Sequence, residues 1–204
     1  MNKIPLVIAT RNAHKAKEIA AILPEWCEVH TLAEYPDAPD AEETGRTFAE
    51  NAKQKAECLS AYLPDALVIA DDSGLCVDAL NGYPGVISAR YAGEHGDDMG
   101  NNNKLLRELS VMRGEEPHTA RFVCVISLAR GGKELSSFPG VVEGRITLHP
   151  RGTNGFGYDP LFVPEGYNVT TAEMRPQDKD AISHRGRALA GLTAFLKAME
   201  HGDL

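Results

Sequence analysis

Leu67-Val68-Ile69-Ala70-Asp71-Asp72-Ser73-Gly74-Leu75 is the stretch that decides how this chain reads. Leu67 to Ala70 is apolar throughout, as a strand buried on both faces should be. Two adjacent carboxylates follow at the expected strand tip, and Ser73 and Gly74 are expected to turn the chain. Open α/β sheets gather ligands beyond their strand ends. Two acids there are costly unless a cation joins them, and Mg²⁺, which takes oxygen ligands, suits them. Side chains alternate along a strand, so only one of the pair faces a given crevice. Asp72, next to the turn, is the candidate metal ligand or the base that deprotonates an attacking water. An Asx-type turn accounts for one acid, not two. The segment points to a metal-assisted reaction on a phosphate.

Outward from this strand, Ile4 to Ala9 predicts a first buried strand and Ala13 to Leu23 a helix stopped by Pro24. Glu28 to Leu32 suggests a second strand, and the acidic stretch Pro36 to Gly45 a loop. Phe48, Ala52, Ala56, Leu59 and Leu63 recur at helical spacing, which predicts a helix over Thr47 to Leu63. Leu75 to Leu80 reads as short extended structure and Asn101 to Met112 as a helix. Thr119 to Ala129 and Lys133 to Leu148 read as strands joined at Gly131-Gly132, a two-residue hairpin signal. Gly152 to Pro160 is a glycine-rich loop, Leu161 to Val163 a brief strand and His184 to Glu200 the last helix. Early alternation of strands and helices with a later hairpin predicts a mixed-sheet α/β fold. We expect one domain over residues 1–204.

Of the 204 residues, 43% are hydrophobic, enough for a substantial core. The net charge of −8 argues against a broad grip on nucleic acid. The apolar run Ile4 to Ala9 is too short for a signal-peptide core, and no stretch approaches the roughly 20 apolar residues that span a bilayer. None of Cys27, Cys58, Cys76 and Cys124 pair as C-x-x-C. They read as buried thiols of a cytoplasmic protein rather than a zinc site.

Four further segments carry candidate chemistry. Thr10-Arg11-Asn12-Ala13-His14-Lys15 joins a strand to a helix start, where N–H groups and the helix dipole favour phosphate. The alternative is an ordinary helix cap with a solvated lysine, and the glycines of a Walker A loop are missing. Glu42 and Glu43 precede the Thr47 helix, and either one beside Asp72 would complete a metal site. Lys53 or Lys55 on that helix could reach a phosphate. In Gly152 to Pro160, glycines allow close approach to a planar ligand, Phe156 and Tyr158 could stack on a base, and Asp159 could accept from ring N–H groups. The alternative returns those aromatics to the core. Lys179, His184, Arg185 and Arg187 cluster at a helix start, where cations oppose the dipole unless an anion joins them.

Thr10-x-Asn12-x-x-Lys15, Asp71-Asp72-Ser73-Gly74-Leu75, Pro84-Gly85-Val86-x-Ser88-Ala89-Arg90-Tyr91, Gly155-Phe156-Gly157-Tyr158-Asp159-Pro160 and Ser183-His184-Arg185 occur in that order across nearly the whole chain. Together they resemble the inosine triphosphate pyrophosphatase family, also called the Ham1-like or non-canonical purine NTP pyrophosphatases. The resemblance implies hydrolysis of ITP, dITP and XTP to monophosphate and pyrophosphate, which cleanses the precursor pool. It also implies Mg²⁺, a homodimer, and a two-lobed fold around a long mixed sheet with the active-site cleft between the lobes. By matching position, Thr10 to Lys15 would hold the triphosphate, with Arg11 contributing only backbone. Asp72 would be general base and Mg²⁺ ligand, Glu43 a further ligand, and Ser73 a substrate contact. Phe156, Gly157, Tyr158, Asp159, Lys179, His184 and Arg185 would form the base and phosphate pocket. Lys15, Lys53 and Lys179 would share the phosphate charge. Selectivity would rest on the purine 6-carbonyl, met by His184, Arg185 or loop N–H donors. A Maf-like pyrophosphatase acting on modified pyrimidines and a non-catalytic nucleotide-binding regulator are the competing readings.

Overall fold

The computed structural model describes residues 3–112 and 118–201. Six strands form one sheet in the order β2-β1-β3-β4-β5-β6. β1 (Ile4–Ile8) pairs in parallel with β2 (Cys27–Thr31) on one side and with β3 (Leu67–Val77) on the other. β4 (His118–Arg130) and β5 (Lys133–Ile146) are joined through Gly131 and Gly132, whose φ values of 58° and 77° make the two-residue turn possible. β6 (Phe162–Pro164) runs antiparallel to β5. The mixed α/β sheet is therefore as expected. Among the described residues no helix is long and apolar enough to cross a membrane.

The chain divides into two compact units. The first comprises Met1–Asp72, Cys124–Gly140 and Arg185–Leu204. Its helices are α1 (Ala13–Ile22), α2 (Phe48–Tyr62) and most of α5 (His184–His201). Alternate residues of its strands enter different cores. Leu6, Ile8 and Ile69 pack with Ile19 of α1 and with Leu189 and Leu192 of α5. Val7, Val68 and Ala70 pack with Ala56 and Leu59 of α2. Both faces are covered, which explains an unbroken apolar run where alternation would otherwise be expected. α2 begins with a reciprocal cap, in which Thr47 accepts from the Glu50 N–H and the Glu50 carboxylate accepts from the Thr47 N–H.

The second unit comprises Ser73–Val123 and Val141–His184. It holds α3 (Asp98–Ser110) and α4 (Pro176–Ile182). Leu105 and Leu109 of α3 pack with Leu75, Phe122, Tyr158 and Phe162 in its core.

Three expectations need correction. β3 does not end at Asp72. It runs without interruption from Leu67 to Val77, so the acids sit mid-strand and Ser73-Gly74 is not a turn. The strand continues because the Leu75 N–H donates to Ser88 Oγ, and because Gly74 lets the Gly85 carbonyl and Ser88 approach where a side chain would stand. α3 starts three residues earlier than expected, with the Asp97 side chain accepting from the Gly100 N–H. α4 was not foreseen. It is a single short segment opened by Pro176 in its first turn, with no apolar stripe to reveal it.

Candidate active site

Asp71 and Asp72 part at the middle of β3. The alternation that sends Ile69 towards α1 and α5, and Val68 and Ala70 towards α2, carries the two carboxylates to opposite faces. Asp71 is only 2% exposed. Lys15 Nζ lies 2.5 Å from its Oδ1, Arg185 Nε donates to Oδ2 at 3.1 Å, and the Cys124 thiol donates to Oδ2 at 2.9 Å. Arg185 Nη1 also donates to Glu18 at 2.5 Å. Burial works to raise the Asp71 pKa, but Arg185 and Lys15 overcome it and hold the carboxyl well below the usual range. The same burial pushes the Cys124 thiol well above its ordinary value.

Asp72 takes its partners from α2. Lys55 Nζ donates to its Oδ1 at 2.8 Å and Asn51 Nδ2 to its Oδ2 at 3.3 Å. Lys55 Nζ also stands 3.5 Å from Glu43 Oε1. Two carboxylates thus converge on one ammonium. Burial raises the Asp72 pKa, with Lys55 opposing and Glu43 adding to the rise. Burial pulls Lys55 down, but Asp72 and Glu43 more than reverse this and leave it raised. Lys55 is therefore the α2 lysine at this site. Lys53 is half exposed and lies 3.9 Å from Glu57 and from Glu134. Helical spacing held the clue, since Asn51 and Lys55 are four residues apart and share a face.

The segment before α1 is built as a cap. Asn12 Oδ1 accepts from the His14 and Lys15 N–H groups at 3.0 and 3.1 Å, and Thr10 Oγ1 accepts from the Asn12 N–H at 3.1 Å. Arg11 donates to Asp40 and to the Ala38 carbonyl, which ties down the acidic loop. Ala13 and His14 are exposed at the helix start, and Ser73 is half-buried.

In the second unit, the loop Gly155–Asp159 is held from within. Asp159 Oδ2 accepts from Lys179 Nζ at 2.6 Å and from the Phe156 N–H at 2.9 Å, while Oδ1 accepts from Thr171 Oγ1 at 2.8 Å. Lys179 Nζ lies 5.3 Å from the centre of the Phe156 ring. Asp159 thus ties the loop to Lys179 and Thr171. Tyr158 is 4% exposed, packs into the core and donates its hydroxyl to the Ser88 carbonyl at 2.9 Å. Of the loop's two aromatics, Tyr158 is the one placed in the core and Phe156 the one beside Lys179. His184 stacks on Phe122 with ring centres 4.8 Å apart. Arg185 falls in the first unit, where it pairs with Asp71 and Glu18. Thr171 had no motif to announce it.

Mg²⁺ characteristically binds one or two protein carboxylates together with substrate phosphates and waters. Glu43 and Asp72, already gathered on a shared cation, fit that pattern. Among the described residues no group of three or more His, Cys, Asp or Glu side chains forms a closed metal cage.

A model of the Ham1 family matches residues 6–195. A dITP/XTP pyrophosphatase of Exiguobacterium sp. is 50% identical over 190 residues, covering 93% of this chain and 95% of its own. One from Geobacter sulfurreducens is 50% identical over 192 residues, covering 94% and 96%. A solved structure of the Staphylococcus aureus Ham1 protein superposes with a TM-score of 0.83 at 44% identity, covering 96% of this chain and 99% of that one. A HAM1 protein from Coxiella burnetii gives 0.85 at 40% identity, covering 95% and 98%.

Proposed function

Because this chain belongs to the Ham1 family, we propose that it hydrolyses dITP, XTP and ITP to the monophosphate and pyrophosphate, using residues 1–204 as one catalytic domain. The observation that carries the reading is the convergence of Asp72 and Glu43 on Lys55. A cation already stands where two acids could share a metal with a polyphosphate.

Asp72 is the general base. Asn51 and Lys55 fix its two oxygens, so that it takes a proton from water attacking the α-phosphorus while pyrophosphate departs. Glu43 and Asp72 would hold Mg²⁺, which when bound neutralises phosphate charge. Phosphoryl transfer needs charge neutralisation and in-line placement more than covalent chemistry. Lys15, aimed by Asp71, and Lys55 supply fixed positive charge for the phosphates. Thr10 to His14 shape the loop that presents Lys15, and Ser73 follows the catalytic aspartate.

Base selection falls to the second unit. Phe156 offers a ring face, and the Lys179 ammonium beside it offers a donor to a 6-carbonyl. His184 completes this set. Adenine presents an amino group at that position, and a donor meeting a donor costs about 1–3 kcal/mol. The Phe156 N–H donates to Asp159, which supports Lys179 rather than this N–H as the donor to the base. The unpaired thiols suit a cytoplasmic setting, and the exposed Tyr83 beside Pro84 suits a homodimer contact.

Pyrophosphate release from dITP, XTP, ITP, GTP and ATP, with and without Mg²⁺, tests the proposal. Hydrolysis of the first three should dominate and require the metal. A preference for ATP, or full activity in chelator, would overturn it.

A further inference from the structure

Gly157 lies between Phe156 and Tyr158, and α3 holds both polar groups of its backbone. Its N–H donates to Asp98 Oδ2 at 2.7 Å, and its carbonyl accepts from Asn102 Nδ2 at 2.9 Å. Asp98 and Asn102 are four residues apart, so they stand on one helix face. The glycine has φ +60°, a conformation that other residues resist. The Asn102 amide is committed to this contact. Its Oδ1 is buried with no hydrogen-bond partner among the described residues, so the side chain is held by its donor end alone.

The helix that makes this grip is itself anchored. Leu105 and Leu109 are buried in the core of the second unit. Asn101 accepts from the Ala92 N–H and donates to the Ala89 carbonyl. On the far side of Gly157, Tyr158 is tied to Ser88. Phe156 is the neighbour of Gly157 on the other side, with Lys179 over its ring.

We infer that Asp98 and Asn102 form a two-point clamp on Gly157 that positions Phe156 for the purine, and so act as positioning residues for base recognition. Neither needs to touch the nucleotide. The inference rests on the pyrophosphatase reading above and adds to it the source of the loop's alignment.

The two ends of the clamp have opposite polarity, which separates this role from simple packing. Asp98→Asn keeps an acceptor facing the Gly157 N–H. Asn102→Asp replaces a donor with a carboxylate facing a carbonyl. Near-isosteric changes should therefore differ in effect.

The test measures kcat and KM for dITP and dATP in wild type, Asp98→Asn, Asp98→Ala, Asn102→Asp and Asn102→Ala, with a thermal melt of each. Asp98→Ala and Asn102→Asp should raise KM for dITP about tenfold with kcat within about twofold, the signature of lost binding shared by ground and transition states. The dITP-to-dATP ratio of kcat/KM should narrow, and Asp98→Asn should behave as wild type. Should Asn102→Asp fail to fold, Asn102→Ala removes the donor without adding charge and must show the same KM shift. Unchanged KM and unchanged base ratio in the folded variants would overturn the clamp, as would a fall in kcat alone. A wild-type protein inactive on dITP would overturn the pyrophosphatase reading itself, and this inference with it.

Discussion

Arg185 donates to the Asp71 carboxylate across 3.1 Å although 114 residues separate them in sequence. Arg185 is 1% exposed, so its guanidinium must find protein partners, and Asp71 and Glu18 supply the negative charge. Breaking a buried pair leaves an uncompensated charge and costs about 3–5 kcal/mol. Arg185→Met should lower the urea unfolding free energy by about that amount, and Arg185→Lys should not restore it, because an ammonium lacks the planar fork. The pH course follows from the depressed Asp71 pKa. The unfolded chain takes up this proton near pH 3.9, roughly, and the folded chain only at lower pH. The contribution is therefore present above that value and is lost as pH falls towards the folded pKa. Wild type and Arg185→Met should keep a constant stability gap from pH 8 to 5, narrowing only in stronger acid. A gap that closed between pH 7 and 6 would contradict this assignment.

Asp72 meets different partners and gives a different outcome. Asp72→Asn should reduce kcat at saturating Mg²⁺ by at least about 10²-fold, the scale of general-base catalysis, while the thermal melt moves little. Glu43→Gln should raise the Mg²⁺ concentration for half-maximal activity about tenfold, because a carboxylate ligand is lost. Glu42→Gln should leave it unchanged. Activity titrated with Mg²⁺ for the three variants checks both statements, and equal effects of Glu42→Gln and Glu43→Gln would remove the distinction that Lys55 draws between them.

The sequence carried a definite part of this arrangement. Strand alternation alone separates Asp71 from Asp72, and the structure gives each its own face. Thr47 and Glu50 announce the start of α2 through the spacing of their side chains. Local signals failed where a distant contact decided the matter. Ser73-Gly74 carries turn chemistry, yet Ser88 and the Gly85 carbonyl keep it in the strand. Arg185 sits in a motif with His184, yet its side chain is claimed by Asp71 and Glu18. Tyr158 suits a ligand or a core equally well by residue type, and its burial and its bond to the Ser88 carbonyl are visible only in the fold. α4 has too few apolar positions for any periodicity to show.

Gly74 is the point at which that distant contact can be probed. A Cβ there would stand 2.4 Å from Ser88 Oγ and 2.5 Å from the Gly85 carbonyl. The carbonyl is backbone and Ser88 Oγ is already bound to the Leu75 N–H, so neither yields easily. Overpacking of this kind costs about 1–3 kcal/mol. Gly74→Ala should lower unfolding stability within that range, and Gly74→Ala combined with Ser88→Ala should recover part of it. Chemical denaturation of the single and double variants gives the coupling. Strict additivity would mean that the two residues do not press on one another.

The cysteines separate by environment and not by position in the chain. Burial pushes the Cys27 thiol up to about 11, and it pushes Cys124 well above its ordinary value, with the Asp71 carboxylate adding to the rise. Thiolate is the reactive form, so both should resist modification at pH 8. Cys58 is half-buried on α2 and should react first. Titration with a disulfide reagent in buffer should label Cys58 while leaving Cys27 and Cys124 unmodified, and denaturant should expose all four thiols. Mass mapping of the labelled peptides identifies the sites. Early labelling of Cys124 would mean that the Asp71 cluster opens to solvent, which the Lys15 and Arg185 contacts should prevent.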